Sequence, residues 1–122
     1  MFYKLVSKMK ETRLGDFEEV ILLLVGILKD EAYAFKIAEE FKVQTERAVS
    51  IGAVHSTMDR LSKKGFLTSA MSQPSANRGG RRKRIYSITA SGQLALEQSK
   101  ELKVSLWAQS PSLSFAWLPN NL

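Results

Sequence analysis

Val20-Ile-Leu-Leu-Leu-Val-Gly-Ile-Leu28 is the longest apolar run in the chain, and no other feature restricts the fold so tightly. Together with Phe17 it is apolar on nearly every side of a helical projection, so a helix built from it must be covered on several faces. Its nine residues fall well short of the roughly 20 that cross a bilayer. The run follows Asp16, Glu18 and Glu19 and lacks a cleavage pattern, which argues against a secretory signal. The expectation is the central helix of a small core, starting from a capping-box-like pair, Asp16 and Glu19, and ending near Asp30. A chain of 122 residues supports one such core. The protein is read as cytoplasmic, with no membrane partner.

Further elements follow from periodicity and caps. Phe2, Leu5, Val6 and Met9 share one helical face, as in a short amphipathic arm (residues 1–14) that needs something to lie on. A second helix is expected over about Ala32–Thr45, with Ala34, Ile37, Ala38 and Phe41 inward. Ser50 is a good N-cap for a third helix, which runs to Lys64 and stops at Gly65. Its inward residues are Ile51, Val54, Met58 and Leu61, leaving Gly52, Ala53, His55, Ser56, Asp59, Arg60 and Lys63 outward. The period then changes. Residues 66–72 and 82–88 read as two strands joined by a tip containing Pro74, Asn77, Gly79 and Gly80. Thr89 caps a fourth helix to about Ala108, apolar on more than one face, followed by an aperiodic tail (residues 110–122).

Charge is concentrated where that hairpin begins and ends. The chain carries +6 overall, yet residues 60–84 hold eight cations and no acid, leaving −2 elsewhere. Such a block suits a polyanion, because binding nucleic acid releases condensed counterions. The other reading is a solvated basic loop. There is no cysteine and one histidine, which excludes thiol chemistry and argues against a histidine-rich metal site or a histidine triad. No paired carboxylates, phosphate loop or metal cluster stands out, so no enzyme, metal or cofactor is expected.

Three helices, a basic hairpin and a further helix make a mostly α chain with a small β-hairpin, in the order of a winged helix-turn-helix. The third helix, about 50–64, would enter the major groove of double-stranded DNA, while the wing, about 66–88, follows the backbone or minor groove. Residues 15–92 form the expected DNA-binding domain and 93–109 a C-terminal dimerisation helix. A monomer would expose Phe2, Leu5, Val6, Met9, Leu102, Leu106 and Trp107, an apolar surface that argues for a homodimer.

The segments Arg13-Leu-Gly-Asp-Phe-Glu-Glu-Val-Ile-Leu-Leu-Leu24, Ala32-Tyr-Ala-Phe-Lys-Ile37 and Val49-Ser-Ile-Gly-Ala-Val-His-Ser-Thr-Met-Asp-Arg-Leu-Ser-Lys-Lys-Gly-Phe66 resemble PadR-type transcriptional regulators. Arg78-Gly-Gly-Arg-Arg-Lys-Arg-Ile-Tyr-Ser-Ile-Thr-Ala-Ser-Gly92 resembles the wing of that family and the turn after it. The likeness extends over about residues 13–107. It implies a homodimeric winged-helix protein, usually a repressor, dimerised through its N-terminal segment and last helix. It also implies that a small aromatic or drug-like effector can release the DNA in some members. Ala34 stands where the family usually has Gly, and His55 where it usually has Tyr. An exposed histidine there can donate to phosphate and make binding depend on pH.

Arg78, Arg81, Arg82, Lys83 and Arg84 are read as phosphate contacts, although strand alternation lets only some of them face DNA. Arg60, Lys63 and Lys64 can serve DNA or the C-terminus of their own helix. Tyr33 and Lys36 open the second helix where the backbone would pass. Ser50 is a cap first and a contact second. Trp107 suits core or interface better than a ligand platform. A protein-interaction module with an acidic partner is the alternative function, but it has little need of five cations within residues 78–84. RNA binding is weaker still, because Tyr86 alone offers an adjacent stacking surface.

Overall fold

The computed structural model describes residues 13–74 and 81–110. Helix α1 spans Asp16–Leu28 and is followed by a single 3-10 turn, Lys29–Glu31. Helices α2 (Ala34–Thr45) and α3 (Ile51–Lys63) lead into strands β1 (Leu67–Met71) and β2 (Arg84–Ile88), and helix α4 (Ala90–Ala108) closes the order. The strands pair antiparallel, with Leu67 opposite Ile88 and Met71 opposite Arg84. The Tyr86 N–H donates to the Ala32 carbonyl at 2.9 Å, so the segment before α2 lies along the free edge of β2. The expected mostly α fold with one hairpin is the one observed.

Apolar residues from each of the first five elements meet in one core. Ile21, Leu22 and Val25 of α1, Ile37 of α2, and Val54, Met58 and Leu61 of α3 are buried, with Phe66, Leu67 and Tyr86 closing the hairpin side. Phe17 and Phe41 pack edge to face with centroids 5.5 Å apart. α1 is covered on several faces, as expected, by α2, α3, β2 and α4, but not all round: Leu23 and Ile27 remain 47% and 57% exposed. Its neighbours take up only part of its circumference, and the stripe one turn apart on the far side has no cover within the described residues. α3 differs in one pair. Thr57 is buried and Ile51 exposed, because Thr57 falls inside the arc defined by Val54, Met58 and Leu61 while Ile51 lies at its edge in the first turn.

The start of α1 is shifted by one residue from the expected capping pair. Gly15 is the N-cap, and its N–H donates to Glu18 Oε1 at 2.7 Å. Glu18 stands at the third helical position, from which a carboxylate reaches back to the cap; Asp16 and Glu19 do not. The same carboxylate then binds the far end of α3. Lys64 Nζ donates to its two oxygens at 2.8 and 3.0 Å and to the Arg13 carbonyl at 3.0 Å, and Arg60 Nε lies 3.5 Å away. Burial alone would raise the Glu18 pKa. The Gly15 N–H, Lys64 and Arg60 outweigh that effect and hold it below the ordinary value.

Helix α3 ends as its glycine predicts. Gly65 is left-handed (φ +81°) and donates to the Ser62 carbonyl at 3.0 Å, while Phe66 donates to Leu61 at 2.9 Å, the two bonds of a Schellman motif. Thr89 fastens this turn to α4. Its N–H donates to the Phe66 carbonyl at 3.0 Å, its hydroxyl donates to the Gly65 carbonyl at 2.6 Å, and the same oxygen accepts the Gly92 N–H at 3.0 Å. Gly92 is needed because α4 passes directly over the Phe66 carbonyl: a Cβ there would sit 2.4 Å from that oxygen. Farther along, Lys103 pairs with Glu19 of α1.

Two stability measurements follow. Gly92→Ala should lower the free energy of unfolding in urea by about 1–3 kcal/mol, because a fixed backbone oxygen must move to admit a methyl group; an unchanged midpoint would contradict the packing at Phe66. Glu18→Gln should cost about 1–2 kcal/mol near neutral pH, as it weakens hydrogen bonds to charged partners. Since the folded-state pKa of Glu18 is lowered from 4.5, its contribution is present above that value and is lost as pH falls through the folded pKa. The wild-type advantage over Glu18→Gln should therefore shrink on acidification and disappear below both pKa values.

Candidate nucleic-acid interface

The side of α3 opposite the core is polar, small near its start and accessible. Gly52, Ser56, Asp59 and Lys63 recur at spacings of four, three and four residues, which aligns them in one exposed stripe. His55 and Arg60 flank it, both exposed. A Cβ at Gly52 would meet only the Ser50 hydroxyl, at 4.0 Å, so the surface above this turn is open to a close-lying ligand. Ser50 accepts the Ala53 N–H at 3.0 Å, which makes it the cap that fixes where α3 begins.

Arg60 is only partly free. Its guanidinium donates to the Thr57 hydroxyl at 3.1 Å and faces Glu18, so it braces the end of α3 while half its side chain remains accessible. Lys64 is committed to Glu18. Lys63 is exposed. Neither Glu18 nor Lys64 was recognisable as a positioning pair from sequence spacing. The Gly-x-x-Glu pattern at residues 15–18 was the available signal for the cap half of the arrangement.

The strand cations point in different directions. Arg84 lies on the Tyr86 side of the hairpin and donates to the Ser69 hydroxyl at 3.0 Å. Lys83, one residue earlier, has its ammonium 3.5 Å from the centroid of the Tyr33 ring, at the N-cap of α2. Arg81 and Arg82 are exposed. Lys36 pairs with Glu39 on its own helix at 3.3 Å. Burial pushes the Tyr86 phenol up; nearby Arg84 opposes that shift and nearby Asp59 adds to it.

Arg78 of the wing tip and Phe2, Leu5, Val6 and Met9 of the N-terminal arm lie outside the described residues. On α4, Leu94, Leu102, Val104, Leu106 and Trp107 are each more than half exposed. Among the described residues, no group of three or more acidic or histidine side chains could hold a metal ion, and no helix is long and apolar enough to cross a membrane.

The fold is similar to that of several solved structures. It superimposes on a PadR family transcription regulator from Clostridium difficile R20291 with a TM-score of 0.62 and 23% identity, over 77% of this chain and 96% of that one. A PadR-like transcription factor from Bacteroides fragilis gives 0.59 and 22%, over 93% and 98% of the two chains. Bacillus subtilis PadR, in complex with operator DNA, gives 0.53 and 20%, over 67% of this chain and 46% of that protein. At such identities the likeness shows the shared winged-helix fold. No curated protein matches the chain in sequence. The profile of the PadR-like family of transcriptional regulators, however, matches residues 22–98, from the middle of α1 to the middle of α4. The chain belongs to the PadR-like family of transcriptional regulators.

Proposed function

We propose that this regulator binds double-stranded DNA sequence-specifically as a homodimer and represses transcription. α3 lies in the major groove, and the hairpin contacts the adjoining backbone or minor groove. One observation carries the reading: the small, exposed stripe of α3 runs through the Gly65–Phe66 turn directly into the root of a wing rich in exposed cations. Gly52, His55 and Ser56 are the base-facing candidates. Lys63, Arg81, Arg82 and Arg84 supply charge to phosphates, with Arg78, Tyr33, Lys36, Ser50, Arg60 and Lys83 completing the contact surface. Bacillus subtilis PadR, a structural relative, has been seen in complex with operator DNA.

Dimerisation is supported by apolar side chains left open on one protomer. Leu102, Leu106 and Trp107 of α4 and Leu23 and Ile27 of α1 are all exposed, apolar side chains that a second copy of the chain would cover. Phe2, Leu5, Val6 and Met9 extend the same interface in this reading. Two recognition helices then read half-sites about one helical turn apart.

Fluorescence anisotropy across a salt series, on duplex DNA from upstream of the protein's own gene and on a scrambled duplex, tests the reading. If the dimer engages about eight phosphates, log affinity should fall with log salt at a slope near about −7. No binding to either duplex at low salt would reject it and favour an acidic protein partner. Arg84→Ala should weaken binding to both duplexes alike, whereas Ser56→Ala or His55→Ala should change the preference between them. Sedimentation of the Leu102→Glu, Leu106→Glu double variant should show a monomer where the wild type sediments as a dimer; an unchanged dimer would remove α4 from the interface.

A further inference from the structure

Counterion release explains why cations gather on this surface, but it does not explain Asp59. The carboxylate sits on the most outward line of α3, between Ser56 and Lys63, and is exposed. Among the described residues no salt bridge engages it. The cations within reach by sequence have other partners or none: Arg60 turns to Glu18 and Thr57, Arg84 bonds Ser69, and Lys63 makes no ion pair one turn along. A bare carboxylate on a face that approaches phosphates weakens binding to every sequence equally, unless a hydrogen-bond donor in the groove repays it.

The chemistry of base edges selects that donor. A carboxylate only accepts, and the major groove offers two kinds of amino group, cytosine N4 and adenine N6. Adenine N6 lies beside N7, itself an acceptor, so a carboxylate reaching that edge meets a repelling lone pair. Cytosine N4 has only a C–H beside it on its own base, with the paired guanine O6 as its single flanking acceptor, whereas adenine N6 lies between N7 and thymine O4. We propose that Asp59 is a specificity-determining residue, accepting a hydrogen bond from a cytosine amino group in the major groove. This assignment rests on the DNA-binding reading above. It gives the carboxylate two effects: it rewards cytosine at one position of each half-site and penalises all DNA that cannot supply the donor.

Selection from randomised duplexes by the full-length wild type, Asp59→Ala and Asp59→Asn separates the possibilities. The wild type should enrich cytosine at one position in each half-site, with discrimination of about 5- to 150-fold against other bases. Asp59→Ala should accept any base there and bind scrambled duplex more tightly than the wild type does. Asp59→Asn, which can donate as well as accept, should shift the preference toward adenine. Identical selected motifs for all three proteins, with only a uniform gain in affinity on losing the charge, would overturn the assignment while leaving DNA binding intact. Failure of the wild type itself to bind DNA at low salt would overturn both. Asp59 is exposed, so both variants should keep the wild-type urea midpoint, and the comparison is made on folded protein.

Discussion

Two adjacent carbonyl oxygens, those of Gly65 and Phe66, fix the relation between the three parts of this molecule that matter. Both belong to the turn that ends α3, and both are bonded by Thr89 at the start of α4. β1 leaves the turn on one side and β2 enters Thr89 on the other. Helix α3, the root of the hairpin and the long last helix therefore meet at four residues, with Gly92 allowing the backbones to touch. A side chain cannot be inserted there without altering the angle between α3 and α4, so the direction in which the outward stripe points is set by main-chain geometry. That is a rigid mounting for a surface whose task in the proposed role is positional.

Glu18 performs a complementary service at the same C-terminal end of α3. One buried carboxylate closes the N-terminus of α1 and holds Lys64 and Arg60 at the C-terminus of α3, linking groups 46 positions apart in sequence. It also changes the meaning of the local charge. Of the eight cations between residues 60 and 84, two share an internal partner, and the charge free to face a polyanion lies mainly in the wing and Lys63. The basic block thus contains a structural portion and an outward-facing portion, which composition alone cannot divide.

The local signals in the sequence were legible, and the tertiary ones were less so. Ser50, Gly65 and Thr89 reveal themselves by residue type, because each satisfies backbone groups a few positions away. The order of helices and hairpin followed from a change of period near Phe66. The capping pair of α1 lies one residue before Asp16 and Glu19 because three acids in its first turn offer competing partners, and Glu18, at the third helical position, is the one that reaches back to the Gly15 N–H. Ile51 lies exposed and Thr57, which has no place in the apolar pattern, is buried, because hydrophobicity locates a buried arc but not its edges. Leu23 and Ile27 look like core in sequence, since apolarity does not say which molecule supplies the cover. Within the surface of α3, Asp59 is legible in the sequence as outward-facing, but a net positive block carries no signal for the role of an acid inside it.

The contact between Lys83 and Tyr33 has a consequence for how the wing would engage a ligand. An ammonium resting on an aromatic face is held by roughly 0.5–1 kcal/mol at an accessible site, weak enough to be surrendered to a phosphate but strong enough to restrict its rotamers beforehand. Tyr33 thus acts as a berth, sparing the lysine part of the entropy that a freely swinging side chain loses on capture. It also makes the ring and the phosphate rivals for a single charge. When one takes the lysine the other loses it, so the opening of α2 would register, through one aromatic residue, whether the wing is occupied.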